Sequence, residues 1–74
     1  MRMTEDRYEV GNQELQDLIG TRSSRASALA FAKHIESRHA DGTAITVFDR
    51  MAHRGAPELW AADGRELRRK AVAV

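Results

Sequence analysis

The stretch that decides the fold is "TRSSRASALAFAKHIESRHADG", residues 21–42. On a wheel of 3.6 residues per turn, Ala28, Leu29, Phe31, Ala32 and Ile35 fall within one arc. Ser27, Ala30, Lys33, His34, Ser37 and Arg38 fall on the other side. The pattern predicts one amphipathic helix. Ala28 and Ala32 at the centre of its apolar face let the axis approach a sheet closely, with Leu29, Phe31 and Ile35 filling the space around them. Ser23 or Ser24 is suited to cap the start, and Gly42 to end the turn after the helix.

Outward from the helix, the next segment is "TAITVFD". β-Branched and aromatic residues dominate it, with Ile45 and Val47 on one face and Thr46 and Phe48 on the other, as expected of a strand with something apolar on both sides. "RMAHRGAP" follows, polar and broken by Gly55 and Pro57, and reads as a long hairpin connection. In "ELWAADGRELRR", Asp63 and Gly64 are suited to a two-residue type I′ turn. That register would set Trp60 opposite Leu67 and Glu58 opposite Arg69.

Before the helix, "RYEV" and "DLIGTRS" read as two strands joined around "GNQELQ". The segment "NQELQDLIG" also reads as a short helix capped by Asn12, with Leu15, Leu18 and Ile19 on one face. The hairpin is preferred because it completes an antiparallel sheet of about four strands, enough to bury one side of the helix. The expected architecture is therefore α+β, in the order β-β-α-β-β, with one helix on one face of the sheet. The whole of residues 1–74 forms this single domain, with 71–74 as a flexible tail.

The motif order resembles small domains of uncharacterised function in actinobacteria and their phages. The stretches that carry the resemblance are "YEV", "RASALAFAKHI", "ITVFDR" and "LWAADGREL", about two thirds of the chain. The resemblance implies the same fold. It brings no catalytic or binding residue with it.

Composition narrows the function classes. The chain has 12 basic and 11 acidic residues, a net charge of +1, and so no overall charge that selects a polyanionic partner. Cysteine is absent, which removes disulfides and thiolate metal sites and fits a reducing, cytoplasmic setting. The N-terminal "MRMTEDRYEV" has no apolar core of a signal peptide, and no run is long enough to span a bilayer, so no membrane association is expected. The large apolar side chains are few for a chain that must order every residue at a cost of about 1.5 kcal/mol each. A second copy covering the open sheet face would relieve that shortage, so a homodimer is expected.

Two basic groups invite a functional reading. Arg22 and Arg25 stand at the helix start, where a cation is unfavourable by about 0.3–1 kcal/mol when exposed. Together with Ser23 and Ser24 they could converge on an anion such as phosphate. The plainer alternative is that they reach into water or pair with Glu5, Asp6 or Glu9. Arg54, Arg65, Arg68 and Arg69 form a candidate basic surface if they share a side. Their plainer role is to guard an edge strand with charge. His34 and His39 are five apart, a poor spacing for one metal on one helical face, and no donor set completes them. Ser23, Ser24 and Ser27 lack a glycine-framed elbow and an identifiable base.

No catalytic residue, metal or cofactor is therefore expected, and the chain reads as no enzyme. The reading is a small, non-catalytic protein-interaction module that self-associates, with Phe48 and Trp60 as candidate interface residues. The alternative is weak, sequence-independent binding to a nucleic-acid backbone.

Overall fold

The computed structural model describes residues 6–12, 17–38 and 44–72. Five strands and one helix follow in the order β1 (Tyr8–Asn12), β2 (Asp17–Arg22), α1 (Arg25–Ser37), β3 (Thr46–Asp49), β4 (Pro57–Ala61) and β5 (Glu66–Arg69). The protein is an α+β domain with one sheet, ordered β2-β1-β3-β4-β5 and antiparallel at every junction. The sheet has five strands, close to the about four expected, and its last two form the expected C-terminal hairpin. β2 and β3 flank β1, each antiparallel to it, and so run parallel to each other. Such strands need a long crossover, and α1 supplies it.

The N-terminal segment resolves in favour of strands. β1 and β2 pair from Tyr8 opposite Arg22 to Asn12 opposite Asp17, with a bulge between Val10 and Gly11. A helix over 12–20 would have buried Leu18 and Ile19 on a shared face, whereas both are exposed on β2. The connection at 13–16, the Gly42 helix stop, His39 and the last two residues of the expected tail lie outside the described residues.

α1 forms as its pattern dictates. Ser24 has extended backbone angles (φ −130°, ψ 154°), and its side chain accepts the Ser27 amide at 3.2 Å. That satisfies one of the donors every helix start leaves open. Ala28 and Ala32 are completely buried. With no bulk at these positions α1 lies close over β1, β3 and β2, and Leu29, Phe31 and Ile35 pack around the contact. Val10, Ile45 and Val47 are the largest side chains that are fully enclosed, and the buried rings of Tyr8 and Trp60 complete the core. One sheet position yields to the helix: a Cβ built on Gly20 would stand 2.8 Å from Phe31 Cε2, so the absent side chain is what admits the ring. At the far end, the Glu36 carboxylate accepts the Ile45 amide at 3.1 Å and ties the helix to the entry of β3.

The final hairpin corrects the expected register. The Gly64 amide bonds the Ala61 carbonyl at 2.9 Å, and the Ala61 amide bonds the Arg65 carbonyl at 2.8 Å. The loop thus holds Ala62, Asp63 and Gly64, one residue more than a type I′ turn. Gly64 takes φ 94°, and the Asp63 carboxylate accepts the Arg65 amide at 2.9 Å. That extra residue moves the pairing to Trp60 opposite Glu66, Leu59 opposite Arg68 and Pro57 opposite Arg69, with two register shifts. Leu67 consequently faces solvent instead of meeting Trp60, and the expected Glu58–Arg69 pair is replaced by Glu58–Arg68 and Glu66–Arg69.

Candidate interface on the sheet face opposite the helix

Strand register sorts the sheet into two faces, because side chains alternate and directly paired residues share a side. Toward the helix run Gly20, Val10, Val47 and Trp60 in one row, with Arg22, Tyr8 and Asp49 in the next. Away from it a continuous row crosses all five strands: Thr21, Glu9, Phe48, Leu59 and Arg68. A second row on the same side holds Leu18, Gly11, Thr46 and Ala61, with Leu18 exposed at the β2 edge. No helix covers these residues among the described elements.

The middle of this face is apolar and its flanks are charged. Phe48 and Leu59 sit side by side, half-buried by neighbours. Gly11, Thr46 and Ala61 are small, and the Thr46 hydroxyl donates to the Gly11 carbonyl at 3.1 Å, which leaves its polar atom already bonded. On one flank Glu9 stands 3.6 Å from Arg50 Nε. On the other, Arg68 Nε meets Glu58 Oε2 at 2.8 Å, and the Arg68 guanidinium lies 5.9 Å from the Phe48 ring centre.

The two candidate interface residues separate. Phe48 belongs to the uncovered face. Trp60 does not: it pairs with Val47 on the helix side, is buried, and lies 6.1 Å from the Tyr8 ring centre. It is a core residue with no surface to offer a partner.

The arginines at the helix start each lie against an aromatic ring. The Arg22 guanidinium stacks 3.8 Å from the Phe31 ring centre and donates Nη1 to the Thr21 carbonyl, while Arg25 lies 5.5 Å from the Trp60 ring centre. Ser24 is occupied as the cap, and Ser23 is exposed beside it. Arg7 stands 5.4 Å from the Tyr8 ring centre. With Arg68 on Phe48, each of the four aromatic rings in the chain carries a guanidinium. A planar, weakly hydrated cation can spread over a ring and stay wet at its edge, which suits a thin core.

The second basic group is spread across the molecule. Arg54 is in the loop before β4, next to the end of β5, where Arg69 Nη1 donates to the Gly55 carbonyl at 2.8 Å. Arg65 sits at the opposite end of the sheet, in the β4–β5 turn, and Arg68 lies in the row of Phe48. Arg69 is also held by Glu66 at 2.8 Å. The four do not make one patch.

Among the described residues one charged side chain is buried, and no local pattern marks it. Asp49, at the end of β3, is 4% exposed. Its carboxylate accepts Arg7 Nε at 2.7 Å, Arg7 Nη2 at 2.8 Å and the Met51 amide at 2.9 Å. Burial pushes this carboxyl up, but the Arg7 fork, the Met51 amide and the nearby positive charges of Arg7 and His53 outweigh it and hold it below its ordinary range. The same hydrogen bonds hold the Arg7 guanidinium above its ordinary value. A carboxylate so stabilised as the anion is a poor base, and its place at the corner where β1 meets β3 makes it a structural tie. Among the described residues no three His, Cys, Asp or Glu side chains gather as metal ligands, and no helix is long and apolar enough to cross a membrane.

Glu9, Thr46, Leu59 and Ala61 were the members of the uncovered face that composition and motif reading missed. Glu9 and Thr46 had a signal in parity, Glu9 between the buried Tyr8 and Val10 and Thr46 between the buried Ile45 and Val47, whereas the apolar run Leu59, Trp60, Ala61 offered none. Compared with known proteins, the chain matches no family model, no curated protein and no solved structure.

Proposed function

We propose that the protein is a small, non-catalytic interaction module that self-associates through the sheet face opposite the helix. The observation that carries this reading is the row Glu9, Phe48, Leu59, Arg68. It sets an apolar centre between charged flanks on the side of the sheet that α1 does not cover. Sheets with one apolar and uncovered face gain by stacking on another layer, at about 25 cal/mol for each Å² of apolar surface removed from water. The chemistry of the remaining groups favours binding over catalysis, since the buried carboxylate of Asp49 is saturated by Arg7 and Met51.

Size-exclusion chromatography with light scattering tests the reading. The wild-type mass should rise toward that of two chains with concentration. Phe48→Lys should keep it at one chain, while Ala30→Lys, on the exposed side of α1, should leave the assembly intact. A wild-type protein that stays a monomer at millimolar concentration would refute it.

Weak binding to a nucleic-acid backbone is the second reading, favoured by Arg54, Arg69 and Lys70 converging where the β3–β4 loop meets the end of β5. It is the lesser one because Arg22, Arg25 and Arg68 lie on rings, and Arg68 and Arg69 on carboxylates. Backbone binding would weaken steeply as salt is raised. A gel shift with single- and double-stranded DNA at low ionic strength decides it, and no shift is expected.

A further inference from the structure

The uncovered face is self-complementary, and the geometry points to one arrangement of the two copies: a face-to-face stack about a two-fold axis parallel to the strands, between β3 and β4. This inference rests on self-association through that face and adds which residues meet.

The row Glu9, Phe48, Leu59, Arg68 occupies four adjacent strands, β1, β3, β4 and β5, at one level along the sheet. An axis parallel to the strands and midway between β3 and β4 exchanges β3 with the partner's β4, and β1 with the partner's β5. Glu9 then lies opposite the partner's Arg68, and Arg68 opposite the partner's Glu9, giving two opposite-charge contacts by symmetry. Between them Phe48 meets the partner's Leu59 twice. In the neighbouring row Thr46 meets the partner's Ala61, two small side chains that let the layers close. An isologous contact requires that if one residue touches a second, the second touches the first, and this row satisfies the condition at every position.

The distances suit the arrangement. Stacked sheets sit about 10 Å apart, a gap that a glutamate and an arginine reaching from opposite sides can bridge. Both charges are accessible, with the Arg68 side chain 52% exposed and that of Glu9 32% exposed. Arg68 meets Glu58 through Nε, so a second carboxylate can approach the terminal Nη fork. The Thr46 hydroxyl is bonded within its own chain, and its burial in the contact leaves no orphaned donor. Shifting the axis by one strand toward β1 would set Glu9 against the partner's Phe48, and shifting it toward β5 would carry Glu9 past the edge of the partner's sheet.

Charge reversal in separate and mixed samples tests the arrangement. Glu9→Arg alone places two cations against each other at each flank of the dimer, and Arg68→Glu alone places two anions there. Each should lower the dimer affinity roughly tenfold or more. An equimolar mixture of the two variants regenerates an opposite-charge pair at both flanks, so a heterodimer should form at least tenfold more tightly than either variant alone. The in-chain partners Arg50 and Glu58 are not restored by mixing, so recovery reports the contact between copies and not repair within one. If either reversal fails to fold, as read by Trp60 fluorescence, a double-mutant cycle of dimer affinity with Glu9→Gln and Arg68→Gln replaces it, and a non-zero coupling is expected. A dimer sensitive to Phe48→Lys but showing no preference for the mixed species overturns this arrangement and leaves self-association standing. A wild-type monomer overturns both.

Discussion

Substitution of Gly20 by alanine should destabilise the protein, against the usual trend for glycine in a strand. The added Cβ would stand 2.8 Å from Phe31 Cε2 and 3.2 Å from Cζ. Carbon atoms prefer about 3.5–4.0 Å, so the ring must withdraw by about 1 Å. It cannot do so freely, since Arg22 stacks 3.8 Å from its centre and α1 is pinned by the buried Ala28 and Ala32. Overpacking of this kind costs about 1–3 kcal/mol. Gly20 has no positive φ, so alanine brings no backbone strain and should recover about 0.5–1 kcal/mol of chain entropy. The net loss is about 0.5–2 kcal/mol, or a melting temperature lower by several degrees at about 4–8 °C per kcal/mol. Urea titration followed by the fluorescence of Trp60, the sole tryptophan and a buried one, measures it. In a Phe31→Ala background the clash is gone, and Gly20→Ala should turn neutral or stabilising. Equal costs in both backgrounds, or a stabilising Gly20→Ala in the wild type, would refute the account of how the helix seats on the sheet.

Three further outcomes follow from the same geometry. Asp49→Asn should cost about 1–3 kcal/mol at neutral pH, because Oδ1 can still accept Arg7 Nε and the Met51 amide while Arg7 Nη2 loses its acceptor and Arg7 loses its counter-charge. Asp49 is held below its unfolded value, so its contribution is complete above the ordinary carboxylate range and fades as pH falls through the lowered folded value. Urea midpoints across an acid series should therefore fall less steeply in the variant than in the wild type. Ser24→Ala should cost about 1 kcal/mol by removing the cap, whereas Ser27→Glu should add about 0.3–1 kcal/mol, since the first turn of α1 has no acidic residue and position 27 is where a capping-box glutamate belongs; thermal melts by circular dichroism report both. Trp60→Ala should cost about 3–5 kcal/mol, a large part of the stability of so short a chain, and leave it largely unfolded by the same melts.

What the sequence made legible depended on local period. The inward face of α1 and the alternation of Ile45, Thr46, Val47 and Phe48 were readable because helix and strand periods are fixed by backbone geometry. The sides taken by Leu59 and Trp60 were not: both are apolar neighbours, and only pairing with Phe48 and Val47 decides which one turns to the helix. The β5 register was missed because a loop longer by one residue and two bulges depend on hydrogen bonding that no residue type announces. The Arg7–Asp49 tie joins residues 42 positions apart and had no local signature. Arg22 and Arg25 were singled out by an unfavourable charge at a helix start, and what offsets it is found in tertiary neighbours, Phe31 and Trp60.

Isotope-filtered nuclear Overhauser spectroscopy on an equal mixture of labelled and unlabelled chains examines the proposed contact between copies without altering a residue. Cross-peaks between Phe48 ring protons of one copy and Leu59 methyl protons of the other are expected at concentrations where the mass is that of two chains. A dimeric sample whose intermolecular cross-peaks fall instead on Leu18 and Ile19, with none from Phe48, would contradict it.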